Sequence, residues 1–494
     1  MKFPYVFLLA LIPLVQAGGP DRFTPTNRVS GIGISRDDIT DDLLDVRTER
    51  MIESQTFSIM REAQSLPGAK RVTGNAKLQA LFRSASTASG IPASVIEAIC
   101  YLESWGDPNA QSITGPRGIM QISGATAASM DLKVTYATRY KTTRDKVPVK
   151  VKAKGKNKGK TIYRTVTRKT PYKVQVRDDR MLPERAIPAA AHYLAGMERK
   201  FGGQDWAIFA YHCGQGCVGM MQEITRRARG IPADKMTVAR MFFASSPAWN
   251  RELYDATQQQ MQRDYSPTYW FRIRRAEQLL ALYRRDPEEF ARLAQEYKSE
   301  FVSNGRAPHR LRVWLKKDDL VFRSGDDIRA ALGQKLVKAL NRPDYFGYAV
   351  KLPADSDYLS EASPSAIGTL AYIAFETRRL YEETGAKEPF RPLVVTALVE
   401  PEEYANQKGK PEALAHCSGH VFDIDYSALR PAELECLRFV LSDLGWEGYL
   451  GFVEDGMDSL HIGCSPGARE FFTKVFQEAA GKASGDIVEA GEGK

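Results

Sequence analysis

Nowhere in the 494 residues is there a run of about 18 uninterrupted apolar positions, so no membrane-spanning helix is expected. None of the six cysteines forms a CxxC pair, which argues against a thiolate metal cluster. No internal repeat occurs, which sets repeat architectures aside. Acids are almost missing from one stretch: between Lys133 and Arg177 there are 16 Lys and Arg and one acid, Asp145. That segment carries +15, so the remaining residues sum to −6 against a total of +9. The basicity is local.

What is present describes a folded, multi-domain chain. With 43% hydrophobic and 26% charged residues the composition is that of a soluble globular protein, and the length suits two to four domains. Residues 1–17, "MKFPYVFLLALIPLVQA", carry Lys2, an apolar run and small-residue cleavage context, the pattern of a secretory signal peptide; a core strand is the competing reading. No Cys follows the run, which argues against a lipid anchor, and a periplasmic or secreted location is expected. The cysteines fall into two groups of three, Cys100, Cys213 and Cys217, then Cys417, Cys436 and Cys464. Each group either keeps one free thiol or shares a bridge with the other.

Periodicity predicts helices over 76–130 and 180–230, further helices from 236 to about 300, and mixed helices and strands beyond about 310. Within the basic segment, "VPVKVKAKGKNKGKTIYRTVTR" alternates with period two about Gly155 and Gly159, which predicts a β-hairpin projecting from a larger domain. Its charge suits an anionic envelope polymer, preferred because export is expected; nucleic acid is the competing ligand, and no nucleic-acid motif accompanies it. A merely solvated hairpin is the competing reading. The last residues, 479–494, read as a disordered tail.

One carboxylate is conspicuous. Pro92 suits the first turn of a helix, and Ile96, Ile99, Cys100 and Glu103 fall at i, i+3, i+4 and i+7, so Glu103 continues an apolar stripe. A carboxyl so placed is desolvated and its pKa rises, as a general acid for a glycosidic oxygen requires. The competing reading is a surface Glu at a helix end.

The pieces around Glu103 are Glu103-Ser104, Ala110 with Ser112, Gly115 with Gly118-Ile119-Met120-Gln121, and Tyr211 with Gly214, Gly216 and Val218. In this order they resemble the lytic transglycosylase family, lysozyme-like enzymes of peptidoglycan, over residues 76–225. The resemblance implies that Glu103 protonates the glycosidic oxygen and then deprotonates the muramoyl C6 hydroxyl, closing a 1,6-anhydro ring. It implies no cofactor there, with Gln121 and Tyr211 lining the cleft and Ser104 steadying the sugar or the acid. His212 departs from the Asn usual in the family.

A second constellation is "AHCSGHVFDID" with "DGMDSLHIG". His416 and Asp423 are seven apart, which on a regular strand sends them to opposite faces; a turn at Ser418-Gly419 lets both meet His461. Two His and one Asp suit a Zn²⁺ site with an open position. His420 and Asp425 are further candidates. The spacing HxxGxVxD, with the strand "PLVVTALV" before it and His461 after, resembles the zinc D,D-carboxypeptidases and dipeptidases of the vancomycin-resistance type, over residues 320–475. The resemblance implies cleavage of peptidoglycan stem peptides, with two departures. Asp458 stands where the family has a Glu as general base, Glu454 being the nearest Glu, and Glu400 stands near the usual Arg.

The expected fold class is α+β: a mainly helical lysozyme-like domain (76–230) carrying the hairpin (133–177), then a helical connector (231–315) and an α+β zinc-peptidase-like domain (316–478). Residues 18–75 form an N-terminal extension. The expected function is glycan-strand cleavage by Glu103, with a zinc domain that either cleaves stem peptides or only binds them. A purely structural envelope protein is the third reading. Expected partners are glycan strands and stem peptides, without nucleic acid.

Overall fold

The computed structural model describes residues 24–26, 40–150, 161–299, 320–339, 346–352, 358–409, 416–454 and 458–489. The expected signal peptide (1–17), the expected glycine turn at Gly155 and Gly159, and residues 490–494 lie outside them. The chain divides into two compact units, Ile34–Glu300 and Phe301–Lys494 with the first 33 residues. No described helix is long and apolar enough to cross a membrane.

The first unit is a helical assembly around α4 (Ala93–Ser104). Before it come α1 (Asp41–Met60), α2 (Ser65–Gly74) and α3 (Ala76–Ser89); after it come α5 (Gly124–Ser129), α6 (Pro183–Phe201), α7 (Gln204–Cys213) and α8 (Gln215–Arg227). Local chemistry sets the ends of α3: the Asn75 side chain accepts from the Lys77 and Leu78 amides, and Gly90 closes the helix with φ +83°. Strands β1 (Val134–Lys150) and β2 (Thr161–Asp178) form the expected hairpin, antiparallel throughout.

The boundaries differ from the expected ones on both sides. Residues 231–299 are not a connector. Helices α9 (Val238–Ala244), α10 (Arg251–Asp264), α11 (Ser266–Arg285) and α12 (Pro287–Ser299) are built into this unit. Tyr269, Ile273, Ala276 and Leu280 of α11 share one core with Ile96, Ile99 and Cys100 of α4. Nor are residues 41–74 an extension, since Ile59, Met60, Ala69 and Val72 enter the same core. Amphipathicity shows that a helix needs an apolar partner, but not which one.

The second unit holds a five-stranded sheet in the order β4-β6-β7-β9-β8. The outer pair, β4 (Tyr348–Val350) and β6 (Leu393–Ala397), is parallel; β7 (Val421–Asp425), β8 (Leu450–Glu454) and β9 (Ser459–Cys464) join antiparallel. Short β3 (Lys338–Ala339) pairs with β5 (Glu361–Ala362). Helix α13 (Gly325–Gly333) begins the unit, followed by α14 (Pro364–Glu383), α15 (Glu402–Gln407), α16 (Pro431–Trp446) and α17 (Arg469–Glu489). Residues 479–489, expected as disordered, therefore continue a helix. The apolar anchors Phe472 and Val475 before this stretch and Ala479 at its start are all buried. All six cysteines are free thiols, so neither expected pairing occurs.

Candidate active site and metal centre

Glu103 is the penultimate residue of α4, half-buried, with apolar helix behind it and a sharp stop ahead. Trp105 (φ +55°) and Gly106 (φ +73°) take left-handed conformations and turn the chain away. Burial raises the pKa of the Glu103 carboxyl; the nearby charge of His212, a hydrogen bond from Tyr269 and the charge of Arg272 pull it the other way. The Tyr269 hydroxyl donates to Glu103 Oε1 at 2.6 Å. Its ring stacks on His212, with centroids 4.4 Å apart and planes 9° from parallel.

The other expected residues shape the surrounding loop. Ser104 is buried, and its hydroxyl donates to the carbonyl of Ile119 at 2.7 Å, tying the loop to α4. The Gln121 amide donates to the carbonyls of Ala110 (3.1 Å) and Gly118 (2.9 Å). Tyr211 donates to the carbonyl of Met120 at 2.7 Å. All three therefore hold the segment 110–121 in place beside the acid.

Two features of this site escaped the sequence reading. One is Tyr269, whose hydroxyl on the buried face of an amphipathic helix was the available signal, because a buried phenol needs a partner. The other is Arg180. It pairs with Asp178 at 2.8 Å, both nearly fully buried, and donates to the carbonyls of Gly115 (3.2 Å) and Ile122 (3.1 Å). Gly118 (φ +76°) packs so closely on this strap that a Cβ would lie 1.8 Å from the Arg180 carbonyl oxygen.

In the second unit three expected ligands converge. Gly419 (φ +69°) turns the chain after His416, and its amide donates to the His416 carbonyl at 3.0 Å. Asp423 and His461 face each other directly across β7 and β9. Asp423 Oδ1 lies 2.7 Å from His461 Nδ1 and 3.2 Å from His416 Nε2, and the two nitrogens are 3.1 Å apart. Zinc held at 2.0–2.1 Å in a tetrahedron places its ligands about 3.3 Å apart, so this donor set fits. His416 Nδ1 is 2.6 Å from the Leu398 carbonyl, which fixes Nδ1 as the protonated nitrogen and leaves Nε2 free to ligate.

Burial works against charge in this group, yet Asp423 beside it raises the His416 pKa. Burial also opposes the ionised form of Asp423, but the two imidazoles hold its pKa far below the usual carboxylate range. Asp458 stands exposed at the turn before β9 with φ +59°. Glu454 is engaged by Arg438 through two contacts of 2.7 and 2.9 Å. Glu400 is buried, close enough for its charge to act on His416. His420 turns instead to the hydroxyls of Ser363 (2.8 Å) and Ser365 (3.1 Å), and Asp425 caps the Ser427 amide.

A desolvated carboxyl with a raised pKa is what a general acid for a glycosidic oxygen requires. Residues 80–149 and 159–231 match the model of the Transglycosylase SLT domain. Over 143 residues, 29% of the chain, the sequence is 32% identical to the peptidoglycan transglycosylase gp16 of Escherichia phage T7, and this stretch is 8% of that protein's length. Glu103, Ser104, Gln121 and Tyr211 fall inside the family match, whereas Tyr269 and the cluster of His416, Asp423 and His461 fall outside it.

Proposed function

We propose that this protein cleaves the MurNAc–GlcNAc glycosidic bond of peptidoglycan and leaves a 1,6-anhydro end. The supporting observation is the desolvated Glu103, inside the span that matches a transglycosylase domain and hydrogen-bonded by Tyr269. Glu103 gives its proton to the glycosidic oxygen as the C1–O bond breaks. The carboxylate left behind takes the proton of the muramoyl C6 hydroxyl as O6 bonds to C1. The proton count closes, and no second carboxylate is needed.

Glu103→Gln removes both roles of one group, so cleavage of purified sacculi should fall on the order of 10⁴-fold without loss of fold. Wild-type products should be one water lighter than hydrolysed ones by mass. Reducing ends alone would make the protein a hydrolase.

For the second unit the reading is a zinc site of His416, Asp423 and His461 facing stem peptides. Zinc bound there supplies a Lewis acid able to polarise a peptide carbonyl and activate water. Asp458 is the proton acceptor in a peptidase reading. Its exposed position and the engagement of Glu454 by Arg438 favour the alternative, a peptide-binding module without turnover. The reading places the protein in the periplasm or outside the cell, with the basic hairpin as an electrostatic arm for an anionic envelope polymer.

A further inference from the structure

Both faces of the hairpin carry cations, but one has three tyrosines and no acid, whereas the other has Tyr172 and Asp145. Beyond the bulge at Thr135/Tyr136, directly paired residues share a face, so the register assigns each side chain to a side. One face carries, from root to tip, Tyr136, Lys173, Tyr140, Lys169, Arg144 and Lys146, and Tyr163 follows. Each rung offers one phenol or one cation; its partner is Gln175, a Thr or a Pro. No acid interrupts the series. Asp145, the one acid between Lys133 and Arg177, lies on the opposite face, 3.9 Å from Arg168.

The three tyrosines are 55%, 63% and 68% exposed, which is far from the burial phenols normally reach. Rungs on one face are about 7 Å apart, since antiparallel strands rise about 3.4 Å per residue. Rings and charges alternate over the first four rungs, from Tyr136 to Lys169, about 20 Å, and the cations Arg144 and Lys146 then lead to Tyr163 at about 40 Å.

The root decides what this platform serves. Lys133 and Asp179 exchange hydrogen bonds of 3.0 and 3.1 Å at the base of the hairpin. The next residue, Arg180, holds the carbonyls of Gly115 and Ile122 in the loop beside Glu103. The platform and the acid therefore share one rigid strap.

The geometry points to the Tyr136–Tyr140–Lys169–Lys173 face as a docking surface for the peptidoglycan strand itself, outside the bond-cleaving site. Sugar rings lie on the phenols, and stem-peptide carboxylates meet the lysines. This rests on the glycan-cleaving reading above. Phenols also stack on nucleic-acid bases, and the choice of glycan comes from the shared strap and from charge complementarity with the stem-peptide carboxylates.

The test uses the full chain with Glu103→Gln, so that sacculi stay intact, and measures co-sedimentation with purified sacculi at low and high salt. Lys169→Gln with Lys173→Gln should weaken binding about tenfold at low salt, and less at high salt. Tyr136→Ala with Tyr140→Ala should weaken it several-fold at both. Arg139→Gln with Lys141→Gln removes the same charge from the opposite face and should change binding less than about twofold. Equal losses from both lysine and arginine pairs would reduce the hairpin to diffuse charge. No loss from either face would overturn the proposal, as would stronger competition by a single-stranded oligonucleotide than by soluble glycan strands. Muropeptide release by the protein with Glu103 intact is scored separately, so a failed glycan-cleaving reading is not confused with a failed docking face.

Discussion

Two carboxylates at the two candidate sites are both desolvated, and their pKa values move in opposite directions. Glu103 has a hydroxyl as its bonded partner and cations only at longer range, so burial prevails and its pKa rises. Asp423 is buried too, but two imidazoles lie within 3.2 Å and outweigh the desolvation. Burial therefore does not decide protonation; the charge of the nearest partners does. A raised pKa suits proton donation, and a lowered one suits holding a cation.

The largest effects should separate the two sites cleanly. In a metal-replete preparation, His461→Ala should lower bound zinc from about one per chain to none and leave sacculus cleavage unchanged. Glu103→Gln should do the reverse. Stem-peptide cleavage measured alongside divides the remaining readings: turnover lost in both His461→Ala and Asp458→Ala marks a peptidase, and zinc binding without turnover marks a binding module. A zinc-free wild type would remove the metal site from consideration.

A smaller effect tests the tuning of the acid. The Tyr269 hydrogen bond and the His212 charge both oppose the rise in the Glu103 pKa. Tyr269→Phe should therefore raise that pKa further. Since the proposed reaction needs Glu103 protonated first, the alkaline limb of kcat/KM should move to higher pH. The maximum rate should fall about 10- to 100-fold, as a charge-assisted hydrogen bond worth roughly 1.5–3 kcal/mol is lost. An unmoved limb would show that the phenol only fills space.

The desolvation of Glu103 and the convergence of His416, Asp423 and His461 were legible in the sequence for different reasons. Glu103 declared itself through a 3.6-residue stripe, which is local information. His416, Asp423 and His461 declared themselves through spacing and a glycine, and strand pairing then brought Asp423 opposite His461. What stayed hidden was long-range. Tyr269 lies 166 positions from Glu103, and the helix carrying it reads from its own pattern only as an amphipathic connector. The roles of Ser104, Gln121 and Tyr211 as loop braces were hidden likewise, because each bonds to a backbone carbonyl and such partners leave no pattern in side chains. The split of the hairpin into two faces was latent in its alternation, but only the register fixes which residues of the two strands stand together.

The smallest expected effect concerns stability. A carboxyl whose pKa is higher in the folded than in the unfolded chain binds more protons when folded, so folding loses stability as pH rises through that interval. At pH 4 the Glu103 carboxyl is largely protonated in both states and costs little. At pH 7 the unfolded chain gains from ionising it while the fold resists. Glu103→Gln removes the ionisable group and keeps the oxygen that accepts from Tyr269. The variant should therefore be more stable than the wild type at pH 7, by about 1–3 °C in the Tm of this unit, and nearly equal to it at pH 4. Calorimetry at the two pH values, resolving the two units, makes the comparison. A gain of the same size at both would trace the effect to packing, and a loss at pH 7 would mean that the site stabilises the carboxylate, against the raised pKa from which the acid role is argued.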